Sequence, residues 1–138
     1  MTNRLALLRL FASLASFKTL YDSARENEYV VFADSTVQVV PPAYDRTAFE
    51  ASENHIHLLD HVTRKEFQAL LPLAPQLGAL LLASLKQTFP EKHFMVFVSV
   101  HLHDSLIIRF HQKWPGEPPF CDLANFQSGD ERVFCVEG

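Results

Sequence analysis

Residues 93–112 restrict the fold more than any other part of the sequence, because apolar and polar side chains alternate there over two consecutive stretches. Every even position from 94 to 102 is apolar, whereas the odd positions include Ser99 and His101. The next stretch repeats the pattern over 106–110 and carries Arg109 and His111 at odd positions. A period of two is typical of a strand with one buried face. The pattern predicts two antiparallel strands whose even-numbered side chains lie in the core.

The connection between these two strands decides which residues face each other. A two-residue turn would mix polar and apolar side chains on both faces. A three-residue connection over 104–106 pairs Leu102 with Ile108 and places His101 opposite Arg109, which separates the two kinds of side chain. We therefore predict the three-residue connection, with an irregular loop.

Residues 3–26 carry the signals of a long N-terminal helix. Apolar side chains such as Leu7, Leu10 and Leu14 recur at spacings of three and four, and neither proline nor glycine interrupts them. Asn3 is a suitable N-cap. The charges oppose the helix macrodipole, so packing has to stabilise this predicted helix.

Two shorter helices are predicted in the middle of the chain. Thr63 and Glu66 have the spacing of a capping box, which predicts a helix that reaches about Leu71. Ala74–Pro75 then starts a leucine-rich helix that continues to Thr88, because proline is favoured at the first helical position.

Of the other segments, 29–40 is rich in β-branched residues and predicts a hairpin that turns at Asp34–Ser35. Residues 131–136 predict a short final strand. Residues 43–62 are compatible with more than one element. The order of helix, strands, helices and strands favours one compact α+β domain over residues 1–138, with a mostly antiparallel sheet.

The charge distribution limits the class of partner. Residues 22–60 contain eight acidic and two basic residues, a local net charge of −6, and the whole chain has a net charge of −4 and a pI near 5.9. A nucleic-acid-binding protein usually has a basic stripe and a high pI. The acidic block is instead suited to a basic partner protein, or it consists of solvated faces.

The N-terminal and cysteine patterns favour a cytoplasmic protein. Arg9 interrupts the apolar N-terminal stretch, and no uncharged apolar run is long enough for a membrane-spanning helix. Cys121 and Cys135 each lie beside a phenylalanine, as expected of free thiols in a reducing compartment, and a disulfide would require an oxidising one.

Histidines form two candidate sites. The run Asn54–His61 nearly matches the His-x-His-x-Asp-His motif of metallo-β-lactamase-like hydrolases, but one extra residue separates His57 from Asp60. The alternative is a polar segment with several histidines. On the predicted strand pair, the odd-numbered side chains form a histidine–arginine face that suits an anion, an acidic partner, acid–base chemistry or plain solvent contact.

The run from Trp114 to Phe120 is a proline-rich loop with an aromatic residue at each end. Tryptophan is common at interface hot spots, so the loop is a candidate binding anchor. In the alternative, Trp114 folds back over the edge of the core. The chain has four glycines and no glycine-rich phosphate motif, so no nucleotide cofactor is expected.

The stretch Asp104–Phe120 resembles small bacterial immunity proteins, the antidotes encoded beside contact-dependent growth-inhibition and other polymorphic toxins. The resemblance covers these residues and otherwise extends to size, acidity and α+β pattern. It implies a cytoplasmic inhibitor that binds a toxin domain, often a nuclease, through an acidic surface.

The sequence therefore predicts an immunity protein that neutralises a cognate toxin domain by protein–protein interaction, without catalysis, metal or cofactor, and without contact to nucleic acid or membrane. The alternatives are a small metal- or histidine-dependent enzyme and a structural or adaptor subunit. The predicted partner-binding residues are Asp34, Asp45, Glu50, Glu53, Asp60, Arg109, His111, Trp114 and Glu117.

Overall fold

The computed structural model describes residues 16–41 and 44–138. The strands are β1 (Phe17–Asp22), β2 (Asn27–Phe32), β3 (His55–Leu59), β4 (Phe94–His101), β5 (Leu106–Gln112) and β6 (Glu131–Glu137). The helices are α1 (Arg46–Glu53), α2 (Arg64–Leu70) and α3 (Ala74–Thr88), with a 3₁₀ turn at Leu123–Phe126. The architecture over these residues is α+β, with two antiparallel sheets.

The larger sheet has four strands in the order β3-β5-β4-β6, and every neighbouring pair is antiparallel. The strands β4 and β5 and their buried even-numbered face are as the alternation predicted, and the final strand β6 is confirmed. Helix α3 packs on that even-numbered face. Its Gly78 permits close approach, because an added Cβ would lie 3.1 Å from Cγ2 of Val136.

The predicted register of β4 and β5 is wrong, although even-numbered residues do pair with even-numbered residues as predicted. Val98, and not Leu102, lies opposite Ile108. Leu102 and His103 leave the ladder because their backbone N–H groups donate to the carbonyl oxygens of Asp130 and Val62, both at 2.8 Å. The connection therefore spans more residues than the three predicted. The prediction compared only the polar and apolar faces of the two strands, so it had no information on these partners, which lie far away in the sequence.

Helices α2 and α3 agree with their sequence signals. Thr63 and Glu66 form the complete capping box, and Pro75 lies in the first turn of α3. Among the described residues no single helix is long and apolar enough to cross a membrane; α2 and α3 reach such a length only together, and they are bent by 52° at their junction.

The long N-terminal helix is wrong wherever the structure describes it. Phe17–Asp22 is strand β1, paired antiparallel with β2, and the first helix of the described residues begins at Arg46. The part of the prediction over residues 3–15 lies outside the described residues. The hairpin predicted over 29–40 is also wrong, since β2 pairs with the preceding strand β1 and not with the segment that follows it. Spacings of three and four over a short apolar segment do not separate a helix from a strand when a partner strand is available.

The unassigned segment 43–62 contains α1 and β3 within its described part. Two clusters of buried side chains result. The large core lies between α3 and the four-stranded sheet, where it includes Leu81 and Phe110, and it extends to Phe32 of β2, whose ring lies 5.1 Å from that of Phe110. The small core lies between α1 and the β1–β2 hairpin and consists of Tyr29, Val40 and Phe49, with Leu20, Val37 and Trp114 packed against them.

Candidate functional site

Helix α1 carries a carboxylate into the interior. Glu50 is 0% exposed, and its two oxygens accept four hydrogen bonds of 2.7–2.9 Å. The donors are the backbone N–H of Val30, the backbone N–H and side-chain amide of Gln112, and the indole N–H of Trp114. One carboxylate thereby joins β2, the end of β5 and Trp114 in the loop that follows β5.

No ion pair among the described residues includes Glu50, so N–H groups alone compensate its charge. Burial raises the pKa of this carboxyl, while the bonds from Val30, Gln112 and Trp114 act in the opposite direction. A carboxylate in this position is a structural link. It cannot contact a partner, so the structure removes Glu50 from the predicted binding surface.

Asn54, which follows α1, extends this link. Its side-chain amide donates to the carbonyl of Val30 at 2.8 Å, and its side-chain oxygen accepts from the backbone N–H of Phe32 at 3.3 Å. Its own carbonyl accepts from the N–H of Phe110. The unpaired edge of β2 and the end of β5 are therefore joined through side chains of α1 and its C-cap, in place of direct strand pairing.

Residues 113–121, named here the tryptophan loop, pack against the N-terminal end of α1. The Trp114 ring lies 5.4 Å from the Tyr29 ring, and the guanidinium carbon of Arg46 lies 4.8 Å from the indole centroid. Trp114 therefore folds over the edge of the small core, as in the alternative interpretation of this loop, and is half-buried. Gly116 has a φ of 77°, which favours glycine in the tight turn between Trp114 and Glu117.

Glu117 caps α1 from outside the helix. Its carboxylate accepts from Nε of Arg46 at 2.6 Å and from the backbone N–H of Thr47 at 2.8 Å. Burial acts to raise the pKa of Glu117, but the bonds from Arg46 and Thr47 outweigh it, so the pKa is lowered. Glu117 is thus a paired carboxylate that holds the middle of the loop.

His111 holds the far end of the loop. The residue is 1% exposed, and its Nδ1 lies 2.7 Å from the carbonyl oxygen of Gln112 while its Nε2 lies 3.1 Å from the backbone N of Phe120. Nδ1 must donate and Nε2 must accept, which defines a neutral tautomer. Burial lowers the pKa of His111, in agreement with a neutral ring. With both nitrogens engaged, His111 is an anchor for the loop.

A cavity of about 100 Å³ lies under the tryptophan loop, and its walls include Thr47, Met95, His111 and Pro118. The buried Thr47 hydroxyl forms no hydrogen bond of good geometry with the described residues. The Glu117 carboxylate, which already accepts from the Thr47 backbone N–H, is the nearby acceptor, and the Thr47 side chain helps to lower the pKa of Glu117. The volume is sufficient for a few water molecules.

Phe120 stands at the outer end of the loop and is 42% exposed. One side of its ring packs on Phe97 at 6.2 Å between centroids, and the guanidinium carbon of Arg109 lies 4.4 Å from the ring centroid. The loop therefore presents a partly exposed aromatic side chain that is held in place by Phe97 and Arg109 of the sheet.

The structure brings several of the predicted binding residues together at one end of α1 and separates the others. Asp45 is the N-cap and accepts from the N–H of Ala48; it is exposed beside the tryptophan loop. Glu53 and Asp34 lie at the opposite end of the helix, where Ser35 donates to Glu53 at 2.6 Å. Asp60 is exposed at the end of β3, within 3.8 Å of His57. The acidic block of the sequence is therefore not one acidic surface.

The histidine run is also divided. His55 and His57 are exposed on β3 with their rings 5.4 Å apart, while His61 stacks on His103. Across the described ranges, no three His, Cys, Asp or Glu side chains are grouped so that they could hold a metal ion. Cys121 and Cys135 are free thiols.

Four residues that hold this region together are absent from the predicted binding residues: Arg46, Thr47, Asn54 and Gln112. Phe120 was named as one end of the candidate anchor loop but was not among the predicted contacts. Asp45 in front of Arg46–Glu53 was a usable signal, because aspartate is a preferred N-cap. No local signal marks Asn54 or Gln112, since their partners are far away in the sequence.

Residues 19–137 match the family model described as the Uncharacterized protein PM0498 family. No curated protein and no solved structure matches the chain.

Proposed function

The chain belongs to the PM0498 family, and we propose that it is a protein-binding domain that neutralises a cognate bacterial toxin domain in the cytoplasm, by masking it rather than by catalysis. The docking surface in this proposal is the tryptophan loop together with the N-terminal end of α1. A nuclease is the class of toxin that its resemblance to immunity proteins implies.

The observation that carries the proposal is an exposed aromatic side chain on a loop that is already ordered. Trp114 is bonded to Glu50, Glu117 to Arg46 and Thr47, and the backbone N–H of Phe120 to His111. A loop held in this way loses little conformational entropy when a partner binds. Exposed aromatic anchors of this kind supply much of the affinity in protein interfaces.

Two further features support the same surface. The stretch that resembles immunity proteins, 104–120, corresponds to β5 and the tryptophan loop. Asp45 is exposed at the N-terminal end of α1 and adds an acid that a basic toxin surface can pair with. Glu117 contributes less, because Arg46 already pairs with it.

The proposal is tested by co-expression in a susceptible host. The C-terminal domain of the protein encoded immediately upstream is expressed with this chain or without it, and growth is measured. We expect the neighbour to stop growth and the wild-type chain to restore it. Phe120→Ala should lower the affinity for the purified toxin domain about tenfold to a hundredfold, because an exposed anchor is removed.

Leu80→Ala is the matched control, since Leu80 is a comparably exposed apolar residue on α3. It should protect cells as well as the wild type does, and both variants should keep the wild-type circular dichroism spectrum. If the neighbour remains toxic in the presence of the wild-type chain, the antidote function fails for that pair. If Phe120→Ala binds as tightly as the wild type, the tryptophan loop is not the docking surface.

A further inference from the structure

Arg109 occupies the centre of the sheet face opposite α3. It lies across from His55 on β3 and from Phe97 on β4. Its guanidinium lies over the Phe120 ring, and Nη1 donates to the carbonyl oxygen of Ala51 at 3.2 Å, near the C-terminal end of α1. The guanidinium is therefore held in place on two sides while the residue remains half-buried.

The charge of Arg109 has no anionic partner on the described chain. Its one hydrogen bond goes to a backbone carbonyl, and none of the ion pairs among residues 16–41 and 44–138 includes it. Arg46 provides the contrast, because its guanidinium is bonded to the Glu117 carboxylate. Most of the N–H donors of Arg109 thus have no acceptor on these residues, and its charge is partly withdrawn from water.

No carboxylate among the described residues forms an ion pair with Arg109, so none competes with an incoming anion at the guanidinium. His55 donates from Nδ1 to the carbonyl of Ser52 at 2.7 Å, so the exposed Nε2 of its neutral ring is an acceptor, and the attraction for an anion comes from the guanidinium. The Cys121 thiol lies near the guanidinium, and burial raises its pKa, so it stays protonated near neutral pH. Asp122, which acts on the Cys121 thiol, accepts from the N–H of Ala124 and forms no ion pair with Arg109.

We infer that Arg109 is a carboxylate-binding site, in which an Asp or Glu side chain of the partner protein docks on the guanidinium between His55 and Phe120. The inference rests on the proposed function, because it names the chemistry of the partner at the same surface. A planar guanidinium binds a carboxylate through two parallel hydrogen bonds. Phe120 beside it suits an apolar neighbour of that acid.

A phosphate of a nucleic acid is the less suitable anion here. The chain has a net charge of −4, and one half-buried arginine does not form the basic stripe that a phosphate backbone requires. The partner surface in this inference therefore combines a base that faces Asp45 with an acid that faces Arg109.

The binding test uses the toxin domain of the co-expression experiment. Arg109→Gln should weaken the complex at least about tenfold, and Arg109→Lys should restore part of the affinity, since lysine keeps the charge but loses the planar pair of donors. Added salt should weaken the wild-type complex more steeply than the Arg109→Gln complex. Arg132→Gln is the control, because Arg132 is half-buried and also bonded only to a backbone carbonyl, but points to the other sheet face.

A second measurement needs no toxin. The Nε–H signal of Arg109 is followed by nuclear magnetic resonance while acetate or inorganic phosphate is added to the full chain. A saturable shift with acetate that is absent from Arg132 supports the site; the absence of such a shift, or a response to phosphate alone, overturns it. If the wild type binds the toxin and Arg109→Gln binds it equally well, the inference fails and the proposed function stands. If the wild type binds no toxin, the proposed function fails, and the acetate titration alone tests whether Arg109 binds a carboxylate.

Discussion

The two cores of this protein are held together by different forces. The large core around Leu81 and Phe110 consists of apolar side chains between α3 and the four-stranded sheet, and Val30 and Phe32 of the hairpin also pack into it. The small core around Tyr29 and Phe49 has a buried carboxylate and a buried amide at its border, Glu50 and Asn54. Apolar burial is non-directional, whereas each hydrogen bond of Glu50 requires one donor in one place. The large core therefore supplies most of the apolar burial, including contacts with the hairpin, and the hydrogen bonds of Glu50 beside the small core position the tryptophan loop.

The tryptophan loop depends on the second kind of core. Trp114 packs against the small core and donates to Glu50, so the carboxylate that joins the two sheets also positions the proposed docking loop. A change in the large core should lower the stability of the whole domain. A change at Glu50 should release the loop first.

The largest expected effect belongs to the large core. Leu81→Ala should lower the free energy of unfolding by about 3–5 kcal/mol, because it removes buried methyl groups and leaves a cavity. Urea unfolding followed by circular dichroism measures this change. The adjacent Leu80 is exposed, and Leu80→Ala should change stability by less than about 0.5 kcal/mol. Equal effects at both positions would contradict the assignment of Leu81 to the core.

The next effect separates the two cores. Glu50→Ala should lower the free energy of unfolding by about 2–4 kcal/mol, because three buried donors and the half-buried Trp114 N–H lose their acceptor. The loss of a buried charge offsets part of this cost. Trp114 is the one tryptophan of the chain, so its fluorescence reports the small core. In this variant the fluorescence transition should precede the transition seen by circular dichroism.

Glu53→Ala is the matched control for Glu50→Ala, since Glu53 lies on the same helix and accepts a hydrogen bond from Ser35 at a half-buried position. It should lower stability by less than about 1 kcal/mol and leave the two transitions coincident. Coincident transitions in Glu50→Ala would show that the two cores unfold as one cooperative unit.

The smallest expected effect is an opposite pH dependence of two carboxylates. The pKa of Glu50 is raised by burial, so the stability that this group contributes is fully present below its ordinary value of 4.5 and is lost as pH rises through its folded pKa. Burial also acts to raise the pKa of Glu117, but the bonds from Arg46 and Thr47 lower it overall, so its contribution is present above 4.5 and is lost as pH falls through its folded pKa.

Urea unfolding at pH values from about 3 to about 8 tests this pair of signs. The stability of the wild type relative to Glu50→Gln should increase as pH falls from neutrality toward 4.5. The stability of the wild type relative to Glu117→Gln should decrease as pH falls below 4.5. Slopes of the same sign in both comparisons would contradict the environments described for these two side chains.

Sequence patterns predicted the elements whose signals are local. The capping box at Thr63, the proline at the start of α3 and the alternation in 93–112 each depend on neighbours within a few residues, and the structure contains all of them. Strand β1 was missed because its spacing also suited a helix, and its pairing with β2 decided between the two. At the candidate site, the sequence pointed to four of the residues: Trp114, Glu117, His111 and Arg109. It did not predict the contacts that these residues form.

By itself, the sequence determined the local preference of residues for strand or helix and the acidity of the chain. It also determined that the even-numbered side chains of β4 and β5 are buried. These properties depend on composition and on short periods in the sequence. Only the tertiary structure decided that Glu50 is an interior link and that Arg109 forms no ion pair with any acid of the described residues. Burial and pairing of a charge depend on groups far away along the chain, such as Gln112 for Glu50 and Phe120 for Arg109. Until folding brings those groups together, an acid in a sequence is indistinguishable from an acid on a surface.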